Sequence, residues 1–305
     1  MKKNYVCVLI VLILLLGACG TPSVDPEGTG VRTDLPLAEV YTVLSDDYCR
    51  SLADLGIDVP KDVIRDDGLA PESFERPVGE KKTYRTDKRS FELSYESSYT
   101  YTYIGTIDYY RIDGNEEGSV GFHEDGSLYY MMYPAIRLNY EDGASADSVQ
   151  AVAAEEIKDL VDFSAYDQIK CDQVGTDMFQ YTFTNMYREY RVDLARVWVD
   201  YDKTVVHIEI QNGPEGGRKL IDKVDEKLTE ELVRAKVESL LDTQTTTLRA
   251  YHVSDGTSLG RALVTYKDEP CLRYNIRADV YVASEERECS VSMDVVIPVR
   301  LVTKE

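Results

Sequence analysis

The sequence predicts an α+β fold in which antiparallel sheets are each covered by a helix. Two observations carry this prediction. Segments in which apolar and polar residues alternate, as in half-buried strands, make up much of the chain after residue 90. Two segments with helical spacing of apolar residues, 147–161 and 222–241, each precede a group of such strands. A helix and a sheet bury their apolar surfaces against each other, so we expect two helix-on-sheet units in tandem.

The N-terminus has the features of a bacterial export signal. Lys2 and Lys3 precede an apolar run over 6–16, which is shorter than the roughly 20 residues that span a bilayer. The following Leu16-Gly17-Ala18-Cys19 resembles the bacterial lipobox. The resemblance implies that the chain is cut before Cys19 and that this cysteine carries lipid. We therefore expect a lipoprotein signal peptide over 1–18 and a flexible tether, rich in proline and glycine, over 19–36.

The segment 37–145 is expected to hold an N-terminal helix, a loop and tyrosine-rich strands. Apolar residues recur at helical spacing over 37–56, and the charged, proline-punctuated stretch 60–90 is typical of a loop. Strict alternation over 95–109 predicts one half-buried strand. Asp125-Gly126 predicts the turn of a hairpin between strands 119–123 and 127–133.

The two helix-on-sheet units are expected over 146–221 and 222–305. In the first, Asp147 is positioned to cap a helix, with Gln150 three residues on. The strands predicted after the two helices are 179–183, 190–201 and 205–211 in the first unit, and 248–253, 261–267, 271–283 and 289–301 in the second.

Two stretches of the first unit are similar to PepSY-type modules, which are small extracytoplasmic α+β domains. Ala151-Val152-Ala153-Ala154-Glu155-Glu156-Ile157 resembles the alanine-rich helix of that family. Val197-Trp198-Val199-Asp200-Tyr201-Asp202-Lys203-Thr204-Val205-Val206 resembles its closing hairpin. The second unit keeps the helix and lacks that hairpin. The resemblance implies binding of a protein or peptide rather than catalysis.

Composition narrows the classes of partner. Loss of Lys2 and Lys3 with the signal changes the formal net charge from −21 to −23. Such acidity disfavours nucleic acid, whose phosphates would be repelled, and favours a soluble body held off an anionic bilayer. The 23 tyrosines suit packing between strands, with a tyrosine-lined groove for sugars or peptides as the alternative.

Four cysteines remain in the body besides Cys19. They are Cys49, Cys171, Cys271 and Cys289. An even number outside the cytoplasm permits two disulfides in any of three pairings, and four free thiols are equally compatible with the spacing.

No motif predicts a catalytic residue. His123, His207 and His252 form no short-spaced pair, and serine-nucleophile and nucleotide-binding signatures are absent from the sequence. With 55 acidic residues, neighbouring carboxylates arise by chance and do not mark a glycosidase site.

One acidic stretch has the spacing of a calcium-binding loop. Asp113, Asn115, Glu117 and Glu124 occupy its first, third, fifth and twelfth places, with Gly118 at the sixth. The flanking segments are predicted strands rather than helices, and an acidic β-turn accounts for the same residues. We expect no bound metal and no cofactor.

Together these features predict a membrane-anchored, extracytoplasmic lipoprotein without catalytic activity. Lipid on Cys19 would hold it to the outer face of the cell membrane, and its partner would be a protein or peptide of the cell envelope. A module that binds cell-wall glycan or sugar is the first alternative, and a carboxylate-dependent hydrolase is the second.

Overall fold

The computed structural model describes residues 35–54, 64–66, 70–71, 77–115, 117–174, 178–241, 246–253, 260–283 and 285–304. Residues Pro36–Glu305 form one compact unit. Among the described residues, no helix is both long enough and apolar enough to cross a bilayer. The predicted signal peptide and most of the predicted tether lie outside the described residues.

Strands dominate the unit, and sixteen lie in the described part of the chain. They are β1 (Tyr41–Ser45), β2 (Ile64–Asp66), β3 (Ala70–Pro71), β4 (Lys81–Arg85), β5 (Ser90–Tyr101), β6 (Gly105–Ile112), β7 (Ser119–His123), β8 (Leu128–Met132), β9 (Gln168–Val174), β10 (Met178–Tyr187), β11 (Tyr190–Asp200), β12 (Val205–Gln211), β13 (Thr246–Val253), β14 (Arg261–Tyr266), β15 (Glu269–Val282) and β16 (Arg287–Pro298).

Four α-helices accompany these strands in the same ranges. They are α1 (Asp46–Asp54), α2 (Ala146–Glu156), α3 (Gly217–Asp222) and α4 (Glu226–Leu241). Ser145, rather than Asp147, caps α2, because its side chain accepts a hydrogen bond from the backbone N–H of Ser148. Single 3₁₀ turns lie at Leu37–Glu39, Phe163–Ala165 and Val299–Leu301.

The strands join into one mixed sheet with the order β2-β1-β16-β15-β14-β11-β12-β8-β7-β6-β5-β3. Beside this path, β10 joins β11 to β9, β13 pairs with β15, and β4 pairs with β5. The larger half of the sheet comprises β3–β12, and the smaller half comprises β1, β2 and β13–β16. A short parallel pairing links the two halves, with Tyr190 opposite Arg261 and Arg191 opposite Ala262.

Each half of the sheet has its own buried cluster. In the larger half, α2 packs Val149, Ala153 and Ile157 against inward-facing side chains of β5–β8 and β10–β12. In the smaller half, Val43, Val264 and Val296 belong to a second cluster, and α4 packs against β13, β15 and β16. Burial of these apolar surfaces is the main stabilising contribution in a fold of this kind.

The predicted arrangement of two separate helix-covered sheets, taken as tandem PepSY-like units, is wrong. Strand β8, from the segment before the first predicted unit, pairs with β12 inside that unit. Strand β1 pairs with β16 at the other end of the chain. Alternation along the sequence identifies strands but carries no information about which distant strand is the partner. These non-local pairings merge the expected units into a single sheet.

Three predicted elements before residue 110 are also corrected. The predicted helix 37–56 begins instead as strand β1, because Val43 and Leu44 are buried in the sheet, and only α1 is helical. The predicted loop 60–90 contains three strands, β2 to β4. The predicted single strand 95–109 is a hairpin of β5 and β6, which turns at residues 102–104.

The later elements agree better with the sequence. The hairpin turn at Asp125-Gly126 is confirmed, with Gly126 at φ 84° between β7 and β8. The strands predicted at 179–183, 190–201 and 205–211 correspond to β10, β11 and β12. The helix predicted at 222–241 corresponds to α4, and the four last strands correspond to β13–β16. Edge strand β9, which is mostly polar, was not predicted.

Candidate functional site

Cys19, the residue predicted to carry lipid, lies outside the described residues. Lipid attachment therefore stays a prediction from the sequence.

The residues of the candidate calcium loop are divided between the two ends of one strand. Asp113, Asn115 and Glu117 lie in the turn between β6 and β7, whereas Glu124 follows β7 at its other end. The Asp113 carboxylate accepts a hydrogen bond from the Lys81 ammonium at 2.7 Å. In the described ranges, no group of three or more His, Cys, Asp and Glu side chains could hold a metal ion. The fold thus does not bring the four candidate ligands together.

The histidines lie on three different strands. His123 ends β7, His207 lies in the middle of β12, and His252 lies on β13 in the smaller half of the sheet. His252 is exposed, whereas the Nε2 atoms of His123 and His207 are buried without a hydrogen-bond partner. No pair of these imidazoles shares a site.

The four body cysteines, all in the described part of the chain, form no disulfide. Cys49 lies on α1 and Cys171 on β9, while Cys271 and Cys289 lie on the neighbouring strands β15 and β16 but pair with other residues. The structure therefore favours the free-thiol alternative over the disulfide pairings that the sequence left open.

A row of aromatic side chains crosses the face of the larger half opposite α2. Neighbours along each strand, such as Tyr110 and Val197, point into the α2 cluster, so the row must point the other way. The row is Tyr99, Tyr109, Tyr130, His207 and Trp198, with successive ring centroids 5.6, 5.8, 4.6 and 4.2 Å apart. All five side chains are half-buried. Because most of the rings meet edge to face, the row has a packing role in the sheet.

A cavity of about 370 Å³ lies where the two halves of the sheet meet. Its walls are the turn between β5 and β6 and the strands β11, β14 and β15. We call it the arginine pocket, because Arg191, Arg196 and Arg273 line it. Its other lining residues are Thr100, Tyr101, Thr102, Tyr103, Ile104, Val192, Gln211, Asn212, Leu263 and Val264. This lining contains three cationic side chains and no carboxylate.

The short pairing between the halves of the sheet brings two of the arginines together. Arg191 on β11 is opposite Ala262 on β14, and Ala262 is opposite Arg273 on β15. Residues paired in this way point to the same face of a sheet. The short side chain of Ala262 lies between the two long arginine side chains, and both arginines line the cavity.

Two guanidinium groups of the pocket, those of Arg196 and Arg273, have buried donor atoms without an acceptor. Arg273 is 6% exposed, and its Nε and Nη2 atoms have no hydrogen-bond partner. The Nε atom of Arg196 is also buried without a partner. A buried donor without an acceptor costs about 1–3 kcal/mol, and more when it is charged. Three donor atoms of these two arginines thus lack an acceptor in the described part of the protein.

Two carboxylates lie near the arginines, and each accepts two hydrogen bonds from neighbouring side chains. Glu209 accepts hydrogen bonds from Arg196 Nη1 at 3.2 Å and from Gln211 Nε2 at 2.5 Å. Asp294 accepts from the Tyr103 hydroxyl at 2.8 Å and from Asn275 Nδ2 at 2.9 Å. Asp294 lies only 3.9 Å from Arg273 Nε, which is beyond hydrogen-bond distance. The Nε atom of Arg273 therefore has no acceptor in this carboxylate.

The pKa of Arg191 reflects its burial beside two other guanidinium groups. The side chain is 8% exposed. Burial, together with the neighbouring guanidinium groups of Arg273 and Arg196, lowers the pKa of Arg191 to about 9. A lowered pKa means that the surroundings disfavour the positive charge. An anion in the pocket would favour the positive charge and raise the pKa of Arg191 again.

Tyr103 closes one side of the pocket and stabilises it. The Arg273 guanidinium carbon lies 4.8 Å from the centroid of the Tyr103 ring, a cation–π contact. The same ring packs against Tyr266 in the smaller half. The β5–β6 turn, which belongs to the larger half, is thereby fixed against the smaller half. The pocket wall has a defined position.

No sequence motif predicted this site. Its arginines are far apart in the chain, and the pairing that unites them is non-local. One signal was present in the alternation itself, because Arg191, Arg196 and Arg273 lie inside strands that are otherwise apolar or half-buried. A buried charge in such a strand indicates a partner or a ligand.

No protein-family model, curated protein or solved structure matches the chain.

Proposed function

We propose that this chain is a lipid-anchored, extracytoplasmic binding protein whose ligand places an anionic group in the arginine pocket. Its role is binding rather than catalysis. The observation that carries the proposal is the buried Arg273 guanidinium, with two donor atoms unpartnered beside Arg191 and Arg196. Carboxylate and phosphate oxygens are the acceptors that match such donors best.

The rest of the pocket fits a small organic ligand. Its volume lies in the range of cavities that hold small molecules or short segments of larger ones. Ile104, Val192 and Leu263 offer apolar contacts, and Thr100 and Gln211 offer polar ones. A ligand with an anionic end and a partly apolar body satisfies both kinds of lining.

Binding is tested by thermal unfolding of the purified full chain in a panel of anions at constant ionic strength. Acetate, succinate, inorganic phosphate and sulfate are the probes, with chloride as reference. A ligand at ten times its Kd stabilises the folded chain by about 1.4 kcal/mol. We expect at least one probe to raise Tm and expect Arg273→Met to remove that rise.

The matched control is Arg277→Met on the same strand. Arg277 is exposed, with its Nε 3.9 Å from Asp279. Its loss should leave the anion response unchanged. Equal responses of the unchanged chain and Arg273→Met to every probe would refute the proposal.

The membrane anchor has a separate test. Cys19→Ala should release the chain from membranes or leave it unprocessed, because the lipid would have no thiol to carry it. Cys7→Ala, in the apolar run of the signal, is the control and should leave retention intact. Retention and processing of Cys19→Ala like those of the control would contradict the anchor.

A further inference from the structure

A second cavity of about 690 Å³ adjoins the arginine pocket at the β5–β6 turn. We call it the outer cavity. The two share residues 100–104 and Asn212 in their linings. Its remaining lining comes from the start of β6, from the end of β7 and the β7–β8 turn, from Gly213, and from the end of β14 and the β14–β15 turn.

Two tight turns present carboxylates to the outer cavity. Glu124 and Asp125 lie in the β7–β8 turn, where Asp125 accepts a hydrogen bond from the backbone N–H of Ser127 at 2.8 Å. Asp268 lies in the β14–β15 turn. Lys267 and Asp268 both have positive φ there, 50° and 61°, which is the geometry of a type I′ hairpin turn.

The cationic groups near the outer cavity do not neutralise these carboxylates. The Lys267 ammonium lies 4.3 Å from the Tyr41 ring centroid and 5.4 Å from that of Tyr266. Burial lowers the pKa of His123, so this imidazole is neutral at pH 7. The lining therefore has an excess of negative charge, opposite to that of the arginine pocket.

Opposite charges in two adjoining cavities select a ligand with two charged groups held apart. A free amino acid does not fit this pattern, because its ammonium is one carbon atom from its carboxylate and would lie among the three guanidinium groups. In a peptide with a free carboxyl terminus, the carboxylate and a basic side chain can be separated by backbone. Thr100, Thr102 and Asn212 line both cavities, so their hydroxyl and amide groups can meet the peptide groups of a ligand that occupies both.

We propose that the chain binds the carboxy-terminal segment of a peptide, with the terminal carboxylate in the arginine pocket and a nearby Lys or Arg side chain in the outer cavity. This proposal rests on the proposed function and names its ligand class. The juxtaposition of Arg273 in one cavity with Glu124 and Asp268 in the other carries it.

The test measures binding of fluorescent peptides to the full chain by polarization. The parent peptides are acyl-Ala-Lys-Ala-Ala, acyl-Lys-Ala-Ala-Ala and acyl-Ala-Ala-Lys-Ala, each with a free carboxylate. Each is compared with its amidated form and with the form that has Glu in place of Lys. In either comparison, loss of a hydrogen-bonded charge should weaken binding of the best parent peptide by about tenfold or more.

Variants of the protein test which cavity holds the carboxylate of the peptide and which holds its basic side chain. Arg273→Met should abolish the preference for a free carboxylate over the amide. The double variant Glu124→Gln with Asp268→Asn should abolish the preference for Lys over Glu and keep the preference for a free carboxylate. Glu80→Gln with Asp87→Asn, exposed residues remote from both cavities, is the matched control and should change neither preference.

The outcomes separate this inference from the proposed function. If small anions stabilise the chain through Arg273 but no peptide in the series shows either preference, the peptide inference is refuted and the anion pocket stands. If neither anions nor peptides bind, both are refuted. If peptides bind and the Lys preference survives the outer-cavity variant, the assignment of the basic side chain to that cavity is overturned.

Discussion

Replacing Arg273 by Met tests whether this arginine serves a ligand or stabilises the fold. Methionine retains much of the length and apolar volume of the side chain and removes the guanidinium. The full chain carries one tryptophan, Trp198 in the sheet, whose fluorescence can follow urea unfolding. The measured quantity is the change in the free energy of unfolding.

The contacts of Arg273 give the expected magnitude. The substitution removes two buried donors without partners, a gain of about 1–3 kcal/mol each. It also removes attraction to Asp294 across 3.9 Å, about 4 kcal/mol at an effective dielectric constant of about 20. Loss of the contact with the Tyr103 ring adds about 2 kcal/mol. Because the two donors are charged, the gains lie at the upper end of their range, about 6 kcal/mol together, and match losses of about 6 kcal/mol, so we expect a net change of less than about 2 kcal/mol.

Arg196→Met is the contrasting variant in the same pocket. The Arg196 guanidinium donates a hydrogen bond to Glu209 at 3.2 Å, so the substitution leaves that half-buried carboxylate with one fewer donor. The lost hydrogen bond to a charged group costs about 1.5–3 kcal/mol, and removal of the single unpartnered Nε donor offsets about 1 kcal/mol of it, so we expect a net loss of about 0.5–2 kcal/mol. Losses above about 3 kcal/mol for Arg273→Met, as when one partner of a satisfied buried ion pair is removed, would refute the reasoning.

Three further predictions concern packing, pH and thiol chemistry. Gly213→Ala should lower the free energy of unfolding by at least about 1–3 kcal/mol, because a Cβ atom there would lie 2.3 Å from the Val192 backbone oxygen. An unchanged urea midpoint would contradict this close approach. Burial lowers the pKa of His207, so as pH falls below about 6.5 the unfolded chain takes up the proton first and stability falls. His207→Gln should make that fall shallower between pH 7 and 5, and an identical slope would count against it. Burial raises the pKa of the Cys271 thiol to about 12, so iodoacetamide should modify Cys271 more slowly than the half-buried Cys289 in the folded chain and equally fast in urea; equal rates before unfolding would count against it.

The local charge at the arginine pocket differs from the negative charge of the chain as a whole. The chain repels anions at long range, with a net charge of −21. Close to the arginine pocket, unpartnered donors and low exposure favour an anion, because interactions between buried charges are screened less. An anionic end attached to a basic group would meet less long-range repulsion than a free anion.

The sequence by itself determined most of the strands and helices after residue 110, with the polar edge strand β9 as an exception. Ile208 and Ile210 face one side of β12, and this alternation is local, so it can be read from neighbouring residues. The charge and the number of tyrosines also follow from the sequence, and lipid attachment at Cys19 stays a prediction from it. Before residue 110 the local pattern was ambiguous, since the spacing of Val40, Val43 and Leu44 suited a helix as well as a buried strand.

Only the tertiary structure decided how the strands pair, and with that it decided the site. The single sheet depends on partners such as β1 with β16, which lie at opposite ends of the chain. The arginine pocket depends on Ala262, which pairs with Arg191 on one side and with Arg273 on the other. Pairing of distant strands is chosen by the total burial of many side chains at once, a property that no local pattern contains. The sequence supplied the guanidinium groups, and the fold placed them around one cavity.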